Sequence, residues 1–157
     1  MAAPVRRVLV SLVLLVAWTG RATAQTAQEW IVVVADDEGF RRALVGVLAP
    51  ARMNVIVVAD VPAPSVGDLS SASRLLAERE LATATIWLTP SATGATLVTY
   101  DRDRDRLLVR ELPFILPMTP FQAEEAARTA RTMLRALRVT PDVDRPPPRE
   151  VDAPEIR

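Results

Sequence analysis

Two runs of mostly apolar, β-branched residues constrain the fold of this chain more than any other feature. They are WIVVVA at residues 30–35 and MNVIVVA at residues 53–59. Continuous apolar strands of this kind are typical of parallel sheets that are covered on both faces. An amphipathic helix is predicted between them, capped by Asp36 or Asp37 and ending near Leu48. Together these segments predict a βαβ unit with a right-handed crossover.

The rest of the chain extends this unit. The further predicted elements are a helix over 68–81, strands over 83–89, 95–100 and 107–112, and a helix over 119–138. The last helix has a capping box formed by Thr119 and Gln122, with Pro120 at its first helical position. The predicted fold class is therefore α/β, a three-layer domain with the order β-α-β-α-β-β-β-α and a mixed sheet.

The first 24 residues resemble a secretory signal peptide. Arg6 and Arg7 precede an eleven-residue stretch, Val8 to Trp18, that is apolar apart from Ser11, and Ala22-Thr23-Ala24 supplies the small-x-small pattern of a cleavage site. Eleven residues are too few for a spanning helix, which needs about 20. We expect cleavage near Ala24, a periplasmic or secreted protein, and membrane contact only through the signal before cleavage.

The chain is thus predicted to have three parts. Residues 1–24 form the signal peptide, and residues 25–138 form a single α/β domain. From residue 139 to residue 157, five prolines and alternating charges predict a disordered tail.

Composition excludes several kinds of chemistry. The chain has no histidine and no cysteine, and all 19 of its basic residues are arginine. Arginine stays protonated and so cannot act as a base or form a Schiff base. Classical triads, thiolate nucleophiles and histidine–metal sites are therefore absent, and we expect a protein that is not an enzyme, with no catalytic residues and no cofactor.

The charge balance argues against nucleic-acid binding. Without the three arginines of the signal peptide, 16 arginines face 19 acidic residues. This balance lacks the basic excess that nucleic-acid-binding proteins show, and we expect no nucleic-acid partner.

Acidic residues follow the first two predicted strands. Asp36, Asp37 and Asp60 would lie at the carboxyl ends of parallel strands, where ligands of open α/β sheets bind. They constitute a candidate site for a divalent cation or a small ligand. The simpler interpretation is that they are helix caps and solvated turn residues.

The segment IVVVADDEGFRRALVGVL resembles the opening of a response-regulator receiver domain, and that resemblance implies a metal-binding pair at Asp36 and Asp37. It stops at Asp60. The third strand ends in Thr89-Pro90, where the family has its phosphoacceptor, and the lysine that the family uses has no equivalent in this chain. We therefore reject a receiver function.

The last predicted helix carries Arg128, Arg131, Arg135 and Arg138 at 3-4-3 spacing. Glu124 is placed to pair with Arg128 at i, i+4, which leaves the other three without an acidic partner at helical spacing. These three have three possible partners: the Asp-rich hairpin that follows Tyr100, the acidic tail, or an anionic partner such as a lipid headgroup or a peptidoglycan carboxylate. We assign all four arginines to a candidate partner-binding surface.

A proline-rich segment precedes that helix and supplies a second candidate. Phe114, Ile115 and Phe121 lie in or beside the sequence LPFILPMTP, whose prolines prevent regular sheet or helix. The segment either buries its apolar side chains across the sheet edge or exposes a patch large enough for binding.

The run DRDRDR at residues 101–106 resembles the start of an EF-hand loop. Position six is Arg106 rather than glycine, and position twelve is Leu112 rather than glutamate, so the calcium motif is absent. We predict a charged hairpin whose charges compensate locally.

The order of elements, the hairpin sequence VTYDRDRDRLLVREL and the arginine-rich closing helix together resemble the amino-terminal domain of TolB-type envelope proteins and secreted relatives. This resemblance implies protein–protein contact in the cell envelope. The first hypothesis is a non-catalytic exported accessory or adaptor domain whose partner is an unidentified envelope protein or anionic envelope component. The alternatives are a small-ligand or cation-binding domain and a structural module without a specific ligand.

Overall fold

The computed structural model describes residues 28–65 and 67–139. The predicted signal peptide, and the predicted tail apart from residue 139, lie outside the described residues. Within the described part, no helix is both long enough and apolar enough to cross a membrane.

Five strands form one mixed sheet. They are β1 (Glu29–Ala35), β2 (Met53–Val57), β3 (Ala84–Ser91), β4 (Gly94–Asp101) and β5 (Arg106–Leu112). The strand order is β2-β1-β3-β4-β5, with β1 parallel to both β2 and β3, and with the pairs β3–β4 and β4–β5 antiparallel. The predicted mixed sheet, with a parallel half and a meander half, is confirmed.

Three α-helices cover the sheet: α1 (Glu38–Leu48), α2 (Leu69–Arg79) and α3 (Pro120–Arg138). The capping residue of α1 is Asp37, not Asp36, and a short 3₁₀ turn, Ala49–Ala51, follows the helix. The capping box of α3 is present as predicted, with the Thr119 side chain accepting from the Gln122 N–H and the Gln122 side chain accepting from the Thr119 N–H.

The helices divide the core into two layers. Alternate residues of β1 face opposite sides, so Ile31 and Val33 pack with α1 and α3 while Val32 and Val34 pack with α2. The larger layer lies under α1 and α3, and the smaller one surrounds Trp87. The predicted three-layer arrangement is therefore correct.

The N-terminal ends of α1 and α3 meet at the carboxyl end of β1. A Cβ atom built at Gly39 of α1 would lie 3.7 Å from the Cβ of Ala123 in α3. The two helices approach closely there because both residues are small. Farther along, their outer surfaces leave a groove between them.

Candidate interaction surface

The groove between α1 and α3 has a volume of about 580 Å³. On the α1 side the small residues Gly39, Ala43 and Gly46 line it, and a Cβ at Gly46 would meet nothing within 4 Å. The predominantly apolar interior also includes Val47 and Met118. The groove exists because glycine and alanine leave the facing helix surface without bulk.

Arginines border this groove on both sides. Arg42 extends from α1, and Arg128 and Arg131 from α3, while Glu124 is the one acid among the lining residues. Arg128 donates to Glu124 across 2.6 Å, which is the pair predicted from helical spacing. Arg42 pairs with Glu38 at the same distance. Both pairs are exposed and add little stability, so the charges on the groove's rim remain accessible to other anions.

Arg131 and Arg135 are the two arginines of α3 that have no partner among the described residues. Within residues 28–65 and 67–139, neither makes a hydrogen bond or an ion pair, and Arg135 is exposed. Two positive charges on this helix therefore have no acidic partner in the described part of the chain.

Arg138 differs from these two arginines. Its Nε donates to Asp101 Oδ2 at 2.9 Å, and its Nη1 donates to Glu29 Oε2 at 2.7 Å. Burial lowers the pKa of Arg138, but the hydrogen bonds to Asp101 and Glu29 outweigh that effect and raise the pKa above its ordinary value. The sequence left three possible partners for Arg138, and in the structure Arg138 pairs with the Asp-rich hairpin. This pair holds α3 against the sheet. We therefore remove it from the partner-binding set.

Phe121 lies on the outer surface of α3, with 76% of it exposed. It precedes Arg128 and Arg135 by seven and fourteen residues, so these three side chains follow one stripe that drifts by only about 20° per heptad. The α3 surface, as we use the term below, consists of Phe121, Arg128, Arg131 and Arg135. It combines an exposed aromatic ring with a row of positive charges.

The proline-rich segment before α3 divides its apolar residues between core and solvent. Phe114 is partly buried and packs against the core together with Leu116, and Met118 is buried. Ile115, in contrast, is 78% exposed. The segment is therefore neither wholly buried across the sheet edge nor wholly exposed as an apolar patch. Phe114 packs against the core, and Ile115 and Phe121 are exposed.

The strand-end acids do not converge. Asp37 is buried, and its two oxygens accept from the N–H groups of Phe40 and Met118, each at 2.7 Å. Asp36 and Asp60 are exposed, and no group of three or more potential metal-ligating side chains occurs among the described residues. The structural role of Asp37, a helix cap that also anchors the proline-rich segment, is thus defined by its contacts.

A second polar cluster lies on the opposite face of the sheet, and sequence reasoning missed it. The guanidinium of Arg74 in α2 contacts both oxygens of Asp105, at 2.6 and 2.5 Å, and the hydroxyl of Tyr100 donates to Asp105 at 2.8 Å. The hydrogen bond from Arg74 lowers the pKa of Asp105, and the one from Tyr100 adds to this effect. The hairpin acids Asp101 and Asp105 therefore bind helices on opposite faces of the sheet. The prediction that their charges are compensated within the hairpin is wrong, because arginines of α2 and α3 pair with them. No sequence spacing signals this, since 31 residues separate Arg74 from Asp105.

A smaller cavity of about 310 Å³ lies near this second face. Its lining includes Trp87, Leu69, Val98 and two prolines, and it contains no ionisable side chain. It offers little to orient a polar ligand.

Comparison with known proteins adds one likeness. The fold resembles part of TolB. The chain matches the crystal structure of TolB from Acinetobacter baumannii with a TM-score of 0.42 and 13% sequence identity, over 70% of this chain and 28% of that one. This chain thus spans little more than a quarter of the solved protein, and the resemblance is weak. No protein-family model matches the chain, and no curated protein sequence matches it.

Proposed function

We propose that this chain is an exported, non-catalytic accessory domain that binds an acidic region of another cell-envelope protein through the α3 surface. The observation that carries the proposal is the stripe on α3, where the 76% exposed Phe121 shares one helix face with the unpaired Arg135. Aromatic and arginine side chains are enriched at the centres of protein–protein interfaces. Ile115, six residues before Phe121 in sequence and 78% exposed, is a further apolar side chain open to a partner.

The chemistry of the α3 surface favours binding over catalysis. Guanidinium groups remain protonated at physiological pH, so they hold carboxylates through paired hydrogen bonds but do not accept protons. The chain also lacks the histidine and cysteine side chains that most often provide bases and nucleophiles.

Export supports an envelope partner. The basic start, the apolar run and the Ala22-Thr23-Ala24 motif have the composition of a cleavable signal. A domain delivered across the membrane meets envelope proteins and the cell wall rather than nucleic acid or cytoplasmic enzymes.

Crosslinking in cells tests the proposal. Tagged full-length protein is crosslinked in its native host, and the captured proteins are identified by mass spectrometry. We expect a reproducible envelope partner whose capture falls at least tenfold in the Arg131→Gln/Arg135→Gln variant and in Phe121→Ser.

The matched control removes the same charge elsewhere. Arg79 on α2 and Arg104 on the hairpin are exposed and lie outside the α3 surface, and Arg79→Gln/Arg104→Gln should leave capture unchanged. Equal capture by the control and the α3 variants would refute the assignment of the α3 surface, provided that all variants melt at the same temperature.

The cation-binding alternative is tested by melting the exported protein with and without millimolar Mg²⁺ or Ca²⁺. A ligand that binds only the native state raises its melting temperature. A rise that Asp36→Asn or Asp60→Asn abolishes would favour that alternative over the adaptor function.

A further inference from the structure

The groove between α1 and α3 has the chemistry of a peptide-binding site. Ala43, Val47 and Met118 provide an apolar floor, and arginines border it on both sides. The two unpaired arginines, Arg131 and Arg135, lie on the half of α3 that leads to its C-terminus. An occupant that suits this groove carries acidic residues with apolar residues between them.

Residues 140–157 have this pattern. They contain five acidic residues and three arginines, and they include two triplets in which a valine stands between two acids. The triplets are Asp142-Val143-Asp144 and Glu150-Val151-Asp152. In an extended chain, successive side chains alternate in direction, so the valine of each triplet points away from its two acids. An apolar floor with a basic rim matches that arrangement.

The segment is also long enough to reach along the groove. It follows α3 directly, and from Arg138 back to Pro120 the helix is about 27 Å long at 1.5 Å per residue. Eighteen residues in an extended, proline-rich conformation span about 55 Å. Asp142-Val143-Asp144 would lie beside Arg135, which is about 18 Å along α3 from Ala123. Glu150-Val151-Asp152, about 25 Å farther along the extended segment, would lie at or just beyond the groove's far end at Gly39. Attachment to the same chain gives the segment an effective concentration in the millimolar range, so weak contacts suffice.

We propose that residues 140–157 fold back along α3 and occupy the groove between α1 and α3, with their acidic side chains on Arg131 and Arg135. The docking itself depends only on the groove and on the sequence of the segment. One consequence rests on the function proposed above: the segment covers part of the α3 surface and competes with the partner protein for it.

Paramagnetic relaxation tests the docking directly. The chain has no cysteine, so Ala153→Cys introduces a single thiol for a nitroxide label. The full coding sequence is expressed with its leader, and the protein is purified after export. We expect the amide signals of Gly39 and Ala123, at the end of the groove far from the attachment point, to broaden strongly. A segment that does not dock would broaden mainly the amides around Leu137, next to its attachment.

Variants establish whether charge drives the contact. Arg131→Gln/Arg135→Gln, or replacement of the four acids of the two triplets by the corresponding amides, should reduce the broadening at Gly39 at least threefold. Arg79→Gln/Arg104→Gln should leave it unchanged. Broadening confined to the C-terminal end of α3, or centred on another face, would overturn the proposal.

Two further outcomes are distinguishable. In a mixing experiment, protein that carries the nitroxide is added to isotope-enriched protein that does not carry it. If the signals of the isotope-enriched protein broaden, the groove binds the segment of a second molecule, and the intramolecular proposal is wrong. If broadening occurs as expected but crosslinking captures no partner, the docking holds and the adaptor function fails. Partner capture that increases when the triplet acids are replaced by amides would support both.

Discussion

The Nε atom of Arg138 donates a hydrogen bond of 2.9 Å to Oδ2 of Asp101, whose side chain is only 2% exposed. The same guanidinium reaches Glu29 at the start of β1. One side chain in the last turn of α3 thus links the helix to an edge-side hairpin and to a central strand. Its position explains why an arginine that looks available in the sequence is occupied in the folded chain.

Replacement of Arg138 by glutamine should therefore destabilise the fold. The change leaves the carboxylate of Asp101 buried without a compensating charge, and we expect the free energy of unfolding to fall by about 2 kcal/mol. Denaturant unfolding measures this loss. Arg128→Gln is the matched control on the same helix, because it breaks an exposed pair with Glu124 and should cost less than about 0.5 kcal/mol. Equal losses in the two variants would contradict a structural role for Arg138.

Local patterns account for most of the fold. Runs of apolar residues located β1 and β2, although β2 is an edge strand and is only half-buried rather than covered on both faces as predicted. Capping signals located the starts of α1 and α3, because each cap depends on residues close together in sequence. The pair Glu124–Arg128 was predictable for the same reason, since four residues along a helix bring two side chains together.

Contacts between distant segments were predictable only as alternatives. The Asp-rich hairpin was one of three possible partners for Arg138, and the choice of Asp101, 37 residues away, depends on how α3 crosses the end of the sheet. The prolines around Phe114 and Ile115 remove the periodicity that would show which residue faces the core. The sequence could therefore nominate both, and only packing separates the partly buried Phe114 from the exposed Ile115.

Asp37→Ala should weaken the fold at two places. The variant loses the cap on the Phe40 N–H and the acceptor for the Met118 N–H, and both donors lie in a buried site. We expect a loss of about 2 to 3 kcal/mol in the free energy of unfolding, together with faster hydrogen exchange at these two amides. The neighbouring Asp36 is exposed, so Asp36→Ala should change stability by less than about 0.5 kcal/mol. A milder effect at Asp37 than at Asp36 would show that the proline-rich segment is held by other contacts.

Tyr100 should titrate at unusually high pH. Burial raises its pKa above the ordinary 10.0, and its hydrogen bond to Asp105 adds to the rise, while Arg74 opposes it. Because the folded pKa exceeds the unfolded one, the stabilisation is fully present below pH 10.0 and is lost as the pH rises through the folded pKa.

The absorbance of tyrosinate reports this titration without overlap, since the chain has one tyrosine. We expect a midpoint above 10.0 in the native protein and a return to about 10.0 in denaturant. Asp105→Asn should lower the native midpoint and Arg74→Gln should raise it. Shifts in the same direction would disprove the assigned hydrogen-bond network.

Two glycines should respond to alanine in opposite ways. A Cβ at Gly94 would lie 2.2 Å from the carbonyl oxygen of Leu112 and 3.0 Å from the amide nitrogen of Phe114, and both are backbone atoms that cannot rotate away. Gly94→Ala should therefore force β4 and β5 apart and lower the free energy of unfolding by about 3 kcal/mol. At Gly46, by contrast, the added methyl group meets nothing within 4 Å, and the helix gains about 0.5 to 1 kcal/mol because alanine has less conformational freedom to lose. Urea unfolding of the two variants and of the parent protein measures both changes in the free energy of unfolding. A loss of stability in Gly46→Ala would mean that the groove is occupied in solution at that position.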